Sequence, residues 1–365
     1  MKSNYIYQID YIKAACIVAV IIIHTLSMFN WWLFTSEGIV VNALFKFGEF
    51  HIDQAVPIFF ILMGLNMGMW LLKSRKDESK SIYSRKYFAN RFWRVLIPFL
   101  FIFLISTILW YIYNRSNSFP INVFYLWGLL PISGPGNYFL SIIFQFVLLF
   151  PLLFGVFNKF PRVTLILTFS ITLSFEIFAN YSLIFDSYPY LYQACILRYL
   201  FPITLGIWLI ADMNIFSKRN RIVTILGLVS LVYMIILISI PGWTISSPYG
   251  FSAHKPMFSL YAILLVLIGI WLLPKHVAKP PLMSLSIIGR ASFHIYLAQE
   301  MYFAFLFWQF SSTGSNLING ISPDIASIVI LIWNIFICIL LGVLFFVAER
   351  RFTKWLQGRL KANLT

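Results

Sequence analysis

Apolar runs of bilayer length recur along this chain, and that recurrence decides what it can become. A helix needs about 20 mostly apolar residues to cross a ~30 Å hydrocarbon core. About ten segments qualify: 11–34, 52–72, 92–113, 138–157, 163–180, 192–211, 222–240, 257–273, 285–309 and 325–348. Lipid offers no partner to a backbone N–H or C=O, so such segments cross as helices that satisfy themselves. Turn-forming stretches separate them, including "PISGPGN" at 131–137, "SIPGW" at 239–243 and "AKPP" at 278–281. Soluble domains carry about 25% charged residues, whereas this chain has 11%, with 60% hydrophobic. No long polar segment offers a soluble domain, and no internal repeat is evident. The expectation is an all-α polytopic membrane protein with about ten transmembrane helices, residues 1–365 forming one domain.

A formal charge of +15 would suit nucleic acid, but the placement of the charges argues against that. Twenty-two of the 27 lysines and arginines fall in the tails and alternate loops, among them Lys73–Arg94 and the group Arg350, Arg351, Lys354, Arg359 and Lys361. The opposite loops hold only Lys46, Arg115 and Lys255, while Lys13 and Arg198 lie inside spans. Basic residues gather on the cytoplasmic side and meet anionic lipid there, so both termini are expected in the cytoplasm of a cell-membrane protein. Asp10 and Lys13 interrupt the first run and no A-x-A site follows it, so it reads as a retained helix rather than a secretory signal. Cys16, Cys195 and Cys338 sit in apolar spans without CxxC spacing; neither a disulfide framework nor a metal site is expected.

Ionisable groups within a membrane are costly and mark function by default. The first span, "DYIKAACIVAVIIIHT", holds three. From Asp10 to His24 the helix rises roughly 21 Å, which puts His24 beyond the midplane, and Lys13 lies within roughly 20° of the same face. His24 is either a packing residue or a group that titrates near neutral pH and serves as general base or acyl carrier. Asp10 and Lys13 are an interfacial pair or the mouth of a site; Asp10 is too far away to orient His24. On the third span Arg91 and Arg94, three apart, share a face. They are topology anchors or a guanidinium clamp for phosphate oxygens. Glu176 and Arg198 are placed to pair inside the membrane, as a structural ion pair or an acceptor-binding element. His294 reads as packing or an auxiliary base. Trp31, Trp32, Trp127 and Trp243 form an interfacial belt or stack on sugar rings.

These motifs together resemble the acyltransferase 3 family of integral membrane acyltransferases. "DYIKAACIVAVIIIH" is similar to the family's D-x-x-R…H opening, with Lys13 in place of arginine. "VPIFFILMGLNMG" is similar to its FF-x-x-SG segment, with Met63 in place of serine, and "RFWRVLIP" to its R-x-x-R-x-x-x-P. "NYFLSIIFQFVLLFPLL" resembles its W-F/Y-L…P-L-L helix, with Asn137–Tyr138–Phe139 replacing the tryptophan-led start. "ASFHIYLAQ" resembles S-Y-x-x-Y-L-x-H, and Glu349–Arg350 the terminal E-R. Gln299 stands where the family often has histidine, which strengthens His24 as the catalytic candidate. The resemblance implies transfer of an acyl group, commonly acetyl or succinyl, from acyl-CoA to a hydroxyl of a surface glycan or lipid-linked saccharide. The residues expected to serve it are His24 as the catalytic group and Asp10, Lys13, Arg91 and Arg94 at the donor. Glu176, Arg198, Asn137 and Tyr138 are the candidates at the acceptor. Acetyl-CoA is the expected co-substrate, with no metal; membrane lipids and glycan-synthesis proteins are the expected partners. The rival is a transporter or flippase that moves a lipid-linked saccharide without chemistry.

Overall fold

A computed structural model describes residues 6–33, 51–75, 83, 85–114, 122–132, 134–239, 256–276, 280–310 and 323–362. It is helical in each of the ten segments expected to cross. The helices are α1 (Tyr7–Leu33), α2 (Ala55–Arg75), α3 (Arg85–Asn114), α4 (Tyr138–Lys159), α5 (Pro161–Tyr181), α6 (Leu183–Ser187), α7 (Pro189–Gln193), α8 (Leu200–Leu209), α9 (Arg221–Ser239), α10 (Ser259–Leu272), α11 (Pro280–Phe310) and α12 (Pro323–Ala362). Among the described residues, seven stretches are long and apolar enough to cross a membrane: those of α1, α2, α3, α4, α5, α12 and the run Pro189–Leu209. Shorter apolar helices lie at Arg221–Ile236 and Ser259–Leu272. α11 is 31 residues long, yet it carries Arg290, His294, Gln299 and Glu300 and is not one of the seven. The protein is therefore an integral, multi-pass membrane protein.

α1 is the hub. It packs on α2, α10, α11 and α12, and α2 in turn packs along α8. Contact between α1 and α11 is backbone on backbone, because a Cβ on Gly289 would collide with the Asp10 carbonyl oxygen. Close approach through small residues is how helices associate where lipid removes the hydrophobic drive. The two helices run in the same direction: Asp10 lies beside Ser286, and His24 beside Gln299. α12 runs back past them, with Asn334 at Thr25 and Glu349 at His294. The start of α1 and the Glu349 end of α12 therefore lie at the same end of the bundle.

The sixth expected span, 192–211, is not one helix. α7 stops at Gln193, a 3₁₀ turn covers Ile196–Tyr199, and α8 begins at Leu200. Side chains from neighbouring helices take up the freed backbone groups. The Gln145 amide donates to Ala194 O at 2.6 Å and accepts from Ile196 N–H at 3.1 Å. Thr172 Oγ1 donates to Leu197 O at 2.9 Å. Broken backbone survives inside a membrane protein when neighbours re-satisfy it this way. Replacing Gln145 by Leu strands two backbone groups and is expected to cost about 2–3 kcal/mol. Thermal unfolding in detergent checks this; unchanged stability would show that the break does not depend on Gln145.

Candidate active site

Helical spacing builds one wall of a cavity of about 460 Å³. Lys13, Ile17, Val20 and His24 of α1 all line it; their separations of four, three and four residues keep them on a single face. α2 contributes Val56, Phe59, Met63, Asn66, Met67 and Trp70. α3 adds Arg91, Arg94 and Val95, α4 adds Tyr138 and Phe139 among others, and α11 adds Ser292, Phe293 and Tyr296. The chemistry is graded along the length of the cavity. Lys13, Arg91 and Arg94 mark one end, apolar side chains the middle, and His24 with Gly136 and Tyr296 the other end.

At the cationic end the Arg91 guanidinium lies 4.5 Å from the centre of the Trp70 ring. This cation–π contact orients the group without neutralising it, and Arg94 beside it is exposed. Asp10 does not line this cavity. It faces α11, where Ser286 Oγ donates to its Oδ2 at 3.0 Å and Arg290 Nε lies at 4.0 Å. Its carboxylate thus anchors α1 to α11, beside Lys13 rather than within the site.

At the other end the His24 imidazole is held from two sides. Gln299 Nε2 lies 3.1 Å from Nδ1, and Phe303 sets a ring edge-on with centroids 6.1 Å apart. The next residue fixes the helix. Thr25 accepts from Asn334 Nδ2 at 3.2 Å, and Tyr302 donates to Asn334 Oδ1 at 2.7 Å. Gly136, the last glycine of "GPGN", sits against the ring at φ +98°, a left-handed conformation that glycine adopts without steric penalty. Its carbonyl accepts from Tyr296 OH at 2.9 Å and from Phe139 N–H at 3.0 Å.

Glu176 and Arg198 do pair, at 2.8 Å and nearly fully buried. Tyr192 OH donates to the free oxygen of Glu176 at 2.6 Å, and the Arg198 guanidinium stacks 4.1 Å over the Tyr192 ring. This cluster stands behind the cavity wall. It reaches the lining through Tyr199, to which Arg198 donates at 3.4 Å, and through the Tyr199–Tyr138 hydrogen bond. Of the acceptor candidates only Tyr138 lines the cavity; Asn137 caps α4 beside it without a capping side-chain bond. His294 packs between Phe345 and Phe346, with Glu349 at 3.6 Å, away from the cavity. Trp127 is exposed, and the side chains of Trp31, Trp32 and Trp243 lie outside the described residues.

Sequence reasoning missed the partner of His24. The position of Gln299 drew notice only as a departure from a motif, although Ser292, Tyr296 and Gln299 recur at helical spacing on α11 and signal a polar stripe. Trp70 and Asn66, one turn apart on α2, gave no chemical signal of their own.

The membrane-spanning helices thus surround an internal cavity, cationic at one end and histidine-bearing at the other. The chain belongs to the acyltransferase 3 family: the family model described as "Acyltransferase domain" matches residues 6–348. No curated relative and no solved structure matches it. Its activity class is thereby that of a membrane acyltransferase.

Proposed function

We propose that this protein is a cell-membrane O-acyltransferase that moves an acyl group, acetyl in the first instance, from cytosolic acyl-CoA to a hydroxyl of a surface or lipid-linked glycan. One observation carries the reading: Lys13, Arg91, Arg94 and His24 line one cavity in the order that a donor and an acceptor would need. The cationic end coincides with the end of the bundle that holds the start of α1 and the Arg350–Lys354 stretch of α12. A concentration of basic residues there favours a cytoplasmic location. Phosphate oxygens suit the two guanidiniums and the ammonium. The apolar midsection of Ile17, Val20, Phe59 and Met63 suits a thin, uncharged pantetheine arm and carries the thioester away from bulk water. The acceptor hydroxyl meets His24 from the opposite side.

The contact with Gln299 decides which imidazole nitrogen can work. An amide side chain can present either end. With Oε1 turned toward Nδ1, it accepts the Nδ1–H and gains a partner that it otherwise lacks among the described residues. That leaves the Nε2 lone pair for chemistry, the same logic by which a third group orients a histidine base. Nε2 then takes the hydroxyl proton as the oxygen attacks the thioester carbonyl, or itself accepts the acyl group for a second step. In the first route the ester C–O bond forms, the C–S bond breaks, and the proton passes from His24 to the departing thiolate.

Purified protein in liposomes should transfer label from acetyl-CoA to a glycan acceptor, and His24→Ala should reduce kcat by about 10²–10⁴-fold. Normal transfer by that variant would remove His24 from the chemistry. Converting Arg91 and Arg94 together to Ala should raise the donor KM roughly tenfold or more, at an unchanged acceptor KM; equal effects on both substrates would make the two arginines topology anchors. Gln299→Leu should lower kcat and leave the donor KM alone, and an unaltered kcat would deny the amide its orienting role.

A further inference from the structure

Two polar side chains interrupt the apolar stretch between the cationic and histidine ends of the cavity: Asn66 of α2 and Ser292 of α11. Thr25, Thr107, Thr164, Thr168 and Thr204 each donate their hydroxyl to the carbonyl oxygen four positions back on their own helix, the local bond open to any helical hydroxyl. Ser292 makes no such bond, and no group among the described residues pairs with it. Its hydroxyl is kept for the cavity. Asn66 is pinned instead, its Nδ2 donating to Leu62 O at 2.7 Å. Only the NH₂ end of an amide can donate to a carbonyl, so Oδ1 is left as an acceptor with no partner among the described residues. Among neighbours such as Ile17, Val20, Phe59 and Met63, two groups with unused hydrogen-bonding capacity mark a place where a ligand carries polar atoms.

Helix geometry gives the two a common depth. α1 and α11 run side by side, so Ser292, seven positions before Gln299, stands level with Ile17, seven positions before His24. Ile17 lies one turn, roughly 6 Å, inside Lys13. Asn66 lies one turn, again roughly 6 Å, inside Trp70, the ring that holds Arg91. An acyl-CoA with its phosphates at Lys13, Arg91 and Arg94 has an amide at that depth. About thirteen bonds separate its nearest phosphorus from its sulfur, about 15 Å at the reach of an extended chain, against roughly 16 Å from Lys13 to His24. The first amide of the arm comes after about five bonds, about 6 Å in. A trans amide presents N–H and C=O on opposite edges, so a threaded arm needs an acceptor on one wall and a donor on another. We propose that Asn66 and Ser292 form an amide-reading subsite in the donor channel. Asn66 Oδ1 accepts from the N–H of the pantetheine amide nearest the phosphates, and the Ser292 hydroxyl donates to its carbonyl oxygen. The inference rests on the acyl-transfer reading above. Both are positioning residues, remote from the reacting atoms, that hold the arm at the depth that delivers the thioester to His24. The subsite also discriminates. A lipid acyl chain fits the apolar lining but leaves both groups unmet, and such a site rejects a ligand that lacks the matching polar atoms.

The test compares two donors on full-length protein in liposomes with a glycan acceptor: acetyl-CoA, and an analogue in which that amide is replaced by a saturated hydrocarbon link of the same length. The readout is the ratio of their kcat/KM values. Wild type is expected to favour acetyl-CoA at least tenfold. Asn66→Leu combined with Ser292→Ala should bring the ratio to within about threefold of unity by slowing acetyl-CoA alone. Both donors are read on one preparation, so the folded fraction cancels. Ser292→Ala, which removes a single oxygen from a helix, is measured by itself as well and should reduce the preference about threefold to tenfold; it carries the test if the double variant does not fold. A wild-type ratio near unity overturns the subsite, and so does a preference that the variants retain. Equal losses on the two donors overturn it too, because that is what a purely structural role produces. No transfer from acetyl-CoA by the unmodified protein overturns the acyl-transfer reading and the subsite with it, whereas transfer without donor discrimination overturns the subsite alone.

Discussion

The structure depends on how closely α1 can approach α11. Gly289 lets the backbone of α11 meet that of α1 at Asp10, and the Ser286–Asp10 hydrogen bond locks the register at that point. Two helices fixed at one end and running the same way must bring particular residues together ten to fourteen positions further on. Here those are His24 and Gln299, in contact at 3.1 Å. α12 then closes the arrangement from the opposite direction through Asn334. A buried carboxylate spent on helix packing at the beginning of α1 is thus what puts an amide on an imidazole at its far end. Asp10 bears on the cavity through this register, without lining it.

Much of this was legible in the sequence, for a reason specific to membranes. Lipid forces backbone groups into helices, so apolar runs and helices coincide, and each expected segment is helical. The same constraint makes intramembrane ionisable residues conspicuous. Lys13 and His24 stood on one face by simple helix geometry, and they do share a cavity wall. Arg91 and Arg94 were found by their spacing and meet that same cavity. The pairing of Glu176 with Arg198 followed from the cost of an isolated charge.

What the sequence hid depends on contacts across the fold. Nothing local announces the break between α7 and α8, because the residues that support it, Gln145 and Thr172, come from α4 and α5. Asp10 has Lys13 three residues away, yet it also accepts from Ser286 and lies 4.0 Å from Arg290, both remote in the chain. Gln299 is an ordinary polar residue until α1 is laid beside it. Gly136 lies in a loop whose Gly and Pro content signals a turn; that the turn presses against His24 depends on where α4 begins. In each case the missing information is a distance between helices, which helical periodicity does not encode.

The apolar middle of the cavity has a consequence for the membrane itself. A passage that admits one molecule from each face of a bilayer invites the leak of protons and small ions between them. Water conducts protons through an unbroken file of hydrogen-bonded molecules, and such a file needs polar partners along its path. Between Lys13 and His24 the α1 wall offers only Ile17 and Val20, with Phe59 and Phe139 opposite, and Ser292 and Asn66 are the polar side chains that interrupt this apolar lining. Hydrophobic constrictions of this kind dewet, and fixed cations at the entrance repel entering cations. On the acyl-transfer reading proposed above, the apolar stretch that would guide an acyl chain would also resist ion leak, so that a group could be handed across the membrane without short-circuiting the gradient that the membrane maintains.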